Sequence, residues 1–470
     1  MKKHLLILYC LLAGQQSFGQ SNFKNATDFI EQEMQSWNIP NVSIAIVNKD
    51  SILFQREYGK DKSQGNYLIG SISKSFTAMA LMQLYGKGAL EIDTPVIHYL
   101  PWFELRNKTV SEKITVRHLL NQTSGLPKSA GFFTPKSQIQ TDIEREYKIY
   151  LQSLNIDETA IGKTHIYSNL NYQILGQLIQ KVSGLQYGEY VKKYIFTPLG
   201  MQNSFASYEE TKQAGLKHGY QYLFGFPIER SFTYNNNGIA AGDIASNAED
   251  MSKFLRVLLT NGKTKNDTVI DKTLLVQMHT PFSNRYGMGF SIGDWNGLHS
   301  IRHTGLSKNF SSAINILPNE NYGIVILTNI NSFYAVRNLM DGIIRRLNHQ
   351  EEIRYIPYEI YFRYLILAIL IWSAVDLVIK TKRWSKQQFP IRFSMKFKML
   401  FQLILNIFLA IMWLVVVPYF ANIPLLKMSA LQPDLGYGLI IGAILGLCSV
   451  VIKYFTKSNI VNSTIAGETV

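Results

Sequence analysis

From Val42 to Gly59 the chain reads VSIAIVNKDSILFQREYG, with apolar and polar residues alternating on either side of Asn48–Ser51. A period of two marks a strand, and a short polar break between two such runs predicts a hairpin. A different period begins after Gly70, where Phe76, Met79, Ala80, Leu81 and Leu84 recur at three- and four-residue intervals. That spacing predicts a helix, ended by Gly86 and Gly88. Helices and loops are expected to about residue 280, including a helix in NYQILGQLIQKVSG after Tyr167. Extended segments return over 286–329, and a helix is expected near Tyr334–Asn348. The pattern predicts an α+β fold, an antiparallel sheet flanked by helices beside an all-helical half, with a site in the groove between them.

Both ends of the chain depart from this alternation. Residues 1–19 carry two lysines, an apolar run from Leu5 to Gly14 and a polar segment closing on Ser17-Phe18-Gly19, the grammar of a signal peptide. Beyond a predicted domain at 20–350, residues 351–470 hold apolar stretches near 361–379, 399–420 and 435–452. Each is long enough for a spanning helix, so three transmembrane helices are expected. The segment KTKRWSKQQFPIRFSMKFK between the first two has seven basic residues and no acidic one, which assigns it to the cytoplasm. Residues 20–350 are then extracytoplasmic, as a signal peptide independently requires. Asp376, inside the first stretch, lies close to Lys380 and reads as a carboxylate near the membrane interface rather than a proton site.

Charge and composition narrow the function by exclusion. The net charge of +14 suggests a nucleic-acid partner, but residues 351–470 alone carry 12 Lys/Arg against 6 Asp/Glu. What remains on the body is mild and scattered, with no nucleic-acid-binding motif. The partners expected are a lipid bilayer and a small-molecule or peptide substrate. The two cysteines, Cys10 and Cys448, lie in apolar end segments, which removes disulfides, thiolate metal sites and a cysteine nucleophile from the central region. Nine histidines show no metal-binding spacing, and no metal or organic cofactor is expected.

The chemistry concentrates where the first long helix starts. Ser71 precedes it and Lys74 follows at i+3, so their side chains lie on one face. Serine is a poor nucleophile until a base takes its proton, and a lysine serves if burial depresses its pKa. Helix-start N–H groups can hold a developing oxyanion. The alternative is structural, with Ser71 or Ser73 capping the helix and Lys74 in solvent. Ser21 and Lys24 match the same S-x-x-K spacing with no helix to hold them.

Longer stretches go further. SKSFTAMALMQLYGKGALEIDTPVIHYLPWFEL, ITVRHLLNQTSGLP, YSNLNYQILGQLIQKVSGLQYGEYVKKYIFTPLGMQNSF, GDIASNAEDMSKFLRVLL and YGMGF with IRHTGLSKNFSSAINILPNENYGIVILTN resemble, in order, the serine beta-lactamase-related hydrolases. That family includes class C beta-lactamases, D-Ala-D-Ala carboxypeptidases of the penicillin-binding type, esterases and D-aminopeptidases. The resemblance runs from about Asn25 to Leu347. It implies Ser71 as nucleophile, Lys74 as its partner, Tyr167 of Tyr167-Ser168-Asn169 as a second general base, and Asn169 as a substrate contact. A neighbouring ammonium is expected to lower the Tyr167 pKa. It further implies His303-Thr304-Gly305 on a strand edge facing substrate, and the Leu306 N–H beside that of Ser71 as an oxyanion hole. Beta-lactamases usually carry lysine at the His303 position, and a neutral imidazole attracts a carboxylate more weakly. Tyr234-Asn235-Asn236 repeats the Tyr-x-Asn spacing without a following helix, Arg117-His118 reads as structural, and Arg302 could add charge near the site.

The expected activity is acyl transfer through an acyl-enzyme, on D-amino-acid peptides such as those of peptidoglycan. Esters and beta-lactams are the alternatives within the family, and a catalytically silent membrane sensor the alternative outside it.

Overall fold

The computed structural model describes residues 25–59, 65–231, 234–282, 285–385 and 432–465, with isolated positions between 404 and 429. The expected signal peptide lies outside these residues. Two compact units divide the chain: 1–220 with 229–356, and 221–228 with 357–470.

The first unit is built on a six-stranded antiparallel sheet. The strands are β1 (Asn41–Val47), β2 (Ile52–Gly59), β3 (Ser291–Trp295), β4 (Leu298–Leu306), β5 (Ser311–Leu317) and β6 (Tyr322–Thr328). Their order is β2-β1-β6-β5-β4-β3, so the two ends of the domain sequence meet at the β1–β6 pair, with Val42 opposite Thr328. The hairpin turn at Asn48–Ser51 closes as expected, Asn48 Oδ1 accepting the N–H groups of Asp50 and Ser51. β1 and β5 are buried along their whole length, because helices cover both faces of the sheet. Leu255 and Leu259 of one helix, Ala248–Leu259, lie against Gly323 of β6, and Phe333–Leu347 follows β6 as the closing helix.

The helical half centres on α1 (Ser73–Gly86) and α2 (Asn169–Ser183). Every residue of α1 from Ser73 to Leu84 is buried, so this helix runs through the core instead of lying on it. Its polar first turn is therefore paired internally. Ser73 Oγ donates to Gly70 O at 2.8 Å, Ser75 Oγ to Gly289 O at 2.7 Å and Thr77 Oγ1 to Ala240 O at 2.7 Å. Periodicity did not predict two small strand pairs inside the helical stretch, Tyr67–Leu68 with Ala245–Ser246 and Tyr220–Leu223 with Phe226–Glu229.

The second unit corrects the expectation of three spans. Among the described residues one helix, Tyr358–Arg383, is long and apolar enough to cross a membrane. The stretch near 399–420 falls largely outside the described residues, and the apolar part of the helix Pro433–Ile465 reaches only Ser449. Within this unit Lys380 Nζ donates to Asp376 Oδ2 at 2.5 Å and to Ser449 Oγ at 2.7 Å, so Asp376 is a paired carboxylate linking two helices.

Candidate active site

Ser71 sits in a 3₁₀ turn, Gly70–Ile72, that leads directly into α1. The cap of α1 is Ile72, with no side-chain bond, so neither serine caps the helix and Lys74 is not in solvent. Lys74 is fully buried; its Nζ donates to Ser71 Oγ at 2.9 Å and to Ala241 O at 2.5 Å. Burial pushes its pKa down to about 7, against the opposing charge of Asp243, so a large share of the lysine is neutral at physiological pH. In that form one N–H stays on Ala241 O and the lone pair is left for the serine proton.

Tyr167 shares a hydrogen bond with Ser71, and Lys74 Nζ stands 5.0 Å from the centre of its ring. The expected lowering of the Tyr167 pKa is not found. Burial raises it above the ordinary phenol value, a shift the Ser71 hydrogen bond only moderates. The physical reason is that full burial disfavours a phenolate by more than the Ser71 hydrogen bond stabilises one. Tyr167 is a neutral donor and acceptor, and Lys74 is the member of the pair whose unprotonated form is accessible near pH 7.

The loop holding Tyr167 is pinned by a residue that no spacing in the sequence singles out. Gln122, at φ +60, accepts the Ile166 N–H on its carbonyl oxygen at 2.8 Å and the Ser168 N–H on Oε1 at 2.9 Å. The two backbone groups flanking Tyr167 thus hang from one residue. Asn169 opens α2, and its Oδ1 is buried with no hydrogen bond from the protein. A buried unpaired acceptor is costly, which fits a group that receives a donor from substrate.

β4 brings the third element. Gly70 and Gly305 let it touch the serine turn: a Cβ on Gly70, at φ +52, would lie 2.4 Å from Leu306 N, and one on Gly305 would lie 2.0 Å from Ile69 O. Ser312 Oγ, on β5, also donates to Ile69 O at 2.7 Å. The amide of Leu306 therefore lies beside the turn carrying Ser71, where an oxyanion hole needs it. His303 is buried, with its ring 6.4 Å from that of Tyr167. Its Nδ1 lies 2.7 Å from Thr304 O, which can only accept, so Nδ1 carries the proton and Nε2 faces the Tyr286 hydroxyl at 3.3 Å. Burial, helped by the nearby Lys74, pushes the imidazole down to about 3. His303 is neutral at any ordinary pH. Thr304, half-buried, is the next residue along the strand.

These positions coincide with one sequence pattern. Residues 26–347 match the family described as Beta-lactamase. The chain belongs to the beta-lactamase family. It is similar to protein flp of Staphylococcus aureus (strain MW2), 29% identical over 337 residues, which cover 68% of this chain and 65% of that protein. The match thus spans somewhat less than two thirds of that relative. Among solved structures it is similar to an octameric penicillin-binding protein homologue from Pyrococcus abyssi, with 26% identity and a TM-score of 0.60, covering 74% of this chain and 81% of that one. A class C beta-lactamase shares the fold at 19% identity and a TM-score of 0.59, covering 71% of this chain and 98% of that one.

The other residues considered from sequence lie elsewhere or act otherwise. Arg117 pairs with Asp93 at 2.6 Å, and His118 Nδ1 accepts the Thr115 N–H at the start of its own short helix, both structural as expected. Tyr234 donates to Asn309 Oδ1 at 3.3 Å, and Asn235 caps a turn while bonding Pro135 O. Ser21 and Lys24 lie outside the described residues. Arg302 turns from His303 toward Trp295, its Cζ 5.0 Å from a ring centre. Asp243 went unselected, although its segment had been noted. Burial raises its carboxyl to about 6, with Lys308 and Lys74 opposing.

Proposed function

We propose that this chain is a membrane-tethered serine hydrolase that works through an acyl-enzyme on Ser71, acting on D-amino-acid peptides or a closely related amide or ester. The observation that carries the reading is the contact between Ser71 Oγ and a fully buried Lys74 whose pKa is depressed to about 7. A sensor that only binds has no use for a buried lysine held off its preferred charge beside a serine.

In the proposed sequence, Ser71 Oγ bonds to the substrate carbonyl carbon as its proton passes to the neutral amine of Lys74. The N–H groups of Ser71 and Leu306 hold the oxyanion. Tyr167 gives its proton to the leaving nitrogen or oxygen and regains one from the Lys74 ammonium. Water then attacks the ester, and its proton returns by the same groups to Ser71. Asn169 and Thr304 offer side-chain groups to the substrate, while neutral His303 contributes shape and no charge. The helix Tyr358–Arg383, followed by a strongly basic segment, supports a tether with the catalytic domain on the extracytoplasmic side.

The test is intact-mass spectrometry of the full chain in detergent, mixed with penicillin and followed over time beside Ser71→Ala. A lasting serine-dependent adduct supports the carboxypeptidase type, and a fleeting one the beta-lactamase type. Absence of an adduct together with hydrolysis of a short ester moves the assignment to the esterase relatives. Failure to turn over any D-amino-acid peptide, ester or beta-lactam would sink the hydrolase reading.

A further inference from the structure

On the face of β4 away from the nucleophile, a cavity of about 480 Å³ opens between the sheet edge and the closing helix Phe333–Leu347. Arg285, Arg302 and Arg337 line it around Trp295. Arg302 and Arg337 stand 5.0 and 5.8 Å from a ring centre of that indole. Adjacent strand residues point to opposite faces, so Arg302 enters this cavity although His303 enters the active site.

The charges here do not cancel. Asp341 is already occupied: it accepts from Trp295 Nε1 at 2.6 Å, from Asn296 Nδ2 at 2.5 Å and from Arg345 Nε at 2.9 Å. Asp294 spends Oδ1 on the Gly297 N–H. Among the described residues, none of the three lining guanidiniums forms an ion pair. Partial burial and the repulsion of Arg285 and Arg337 lower the Arg302 pKa, against the opposing charge of Asp294. Discounting Asp294 against one arginine leaves about two positive charges facing the cavity.

We propose that this cavity is a binding site for a phosphate group, separate from the hydrolase centre. Guanidinium forks pair with two oxygens of a phosphate at once, and a phosphate monoester carries close to two negative charges at neutral pH. A carboxylate, with one charge and one plane, leaves the third guanidinium unmatched. The phosphate can come from a soluble monoester or from an anionic lipid headgroup.

Calorimetric titration of the full chain in detergent with inorganic phosphate and with glycerol 3-phosphate tests the site. Saturable binding is expected, weakened about tenfold by Arg337→Gln and by Arg285→Gln, and lost in the double variant. Ser71→Ala and the remote Lys113→Gln are expected to bind as the wild type does. Acylation by a substrate of the hydrolase reports that the arginine variants are folded. Titration in nanodiscs separates the sources. Weaker apparent phosphate affinity in phosphatidylglycerol than in phosphatidylcholine identifies the headgroup, and equal affinity a soluble ligand. No phosphate binding, or binding that survives the double variant, overturns the proposal.

Discussion

Lys74 Nζ reaches Ser71 Oγ at 2.9 Å from inside the core, at a position where it has no water to solvate an ammonium. Because burial sets its pKa near 7, acylation is expected to rise with pH through about 7 as the amine loses its proton. Lys74→Arg, charged at every accessible pH, is expected to lower kcat/KM by about a thousandfold or more. Stopped-flow acylation between pH 5 and 9 checks both. A flat profile rules out the lysine as base. The same shift has a stability sign. The unfolded chain holds this proton up to about 10.5 and the folded chain releases it near 7, so unfolding binds a proton between those values and stability rises with pH there. Thermal melts of Lys74→Met are expected to lack that contribution.

His303 predicts a dependence of the same sign on the acid side. Its folded pKa of about 3 lies below the ordinary value of 6.5, so the unfolded chain takes up a proton first and stability falls as pH drops from 6.5 toward 3. His303→Gln should flatten part of that loss in denaturant titrations at pH 4 and pH 7. His303→Lys should lower KM about tenfold for substrates with a free carboxylate, relative to neutral ones, because it installs the missing charge. An unchanged KM ratio removes this position from carboxylate recognition.

The close approach at Gly305 admits no side chain. A methyl there would meet Ile69 O at 2.0 Å and Ser312 Oγ at 2.2 Å, which forces β4 away from the serine turn. Gly305→Ala is expected to cost about 1–3 kcal/mol of stability and, by moving the Leu306 amide, about a hundredfold in kcat. Differential scanning calorimetry and single-turnover acylation measure the two. Wild-type turnover in a stably folded variant would remove Leu306 from the oxyanion hole.

Gln122 acts on the reaction through Tyr167 and touches no substrate in the proposed sequence. Gln122→Ala keeps the main-chain bond to the Ile166 N–H but removes Oε1 from the Ser168 N–H and from Asn171 Nδ2, and should lower kcat more than it raises KM. Gln122→Glu, which keeps an acceptor at Oε1, should restore part of the rate. A loss of stability with kcat untouched would reduce Gln122 to a structural residue.

Several parts of this protein were legible in one dimension because their physics is local. The hairpin at Asn48–Ser51 needs only alternation and a turn, and the i, i+3 spacing alone places Ser71 and Lys74 on one side of a helix start. Glycine at 305 reads as a close approach of backbone to substrate, whereas the fold uses it, with Gly70, to bring β4 against the serine turn. Of the three apolar stretches, one forms a helix long and apolar enough to span among the described residues, and the stretch near 399–420 lies largely outside them. Gln122, Tyr286 and Asp243 lie inside stretches that carry the family resemblance, yet no spacing singles them out, because each acts across the fold.

The sequence by itself determined the order of elements, the serine-lysine pair and the family, since each rests on residue type and short spacing. Only the tertiary structure decided the protonation states. Whether Lys74 is an amine, Tyr167 a phenol and His303 a neutral imidazole depends on how much water and which charges surround each group. Those surroundings come from segments far apart in the chain, such as Ala241 against Lys74 and Leu306 against Gly70. Desolvation is a property of the assembled core, and no stretch of sequence carries it.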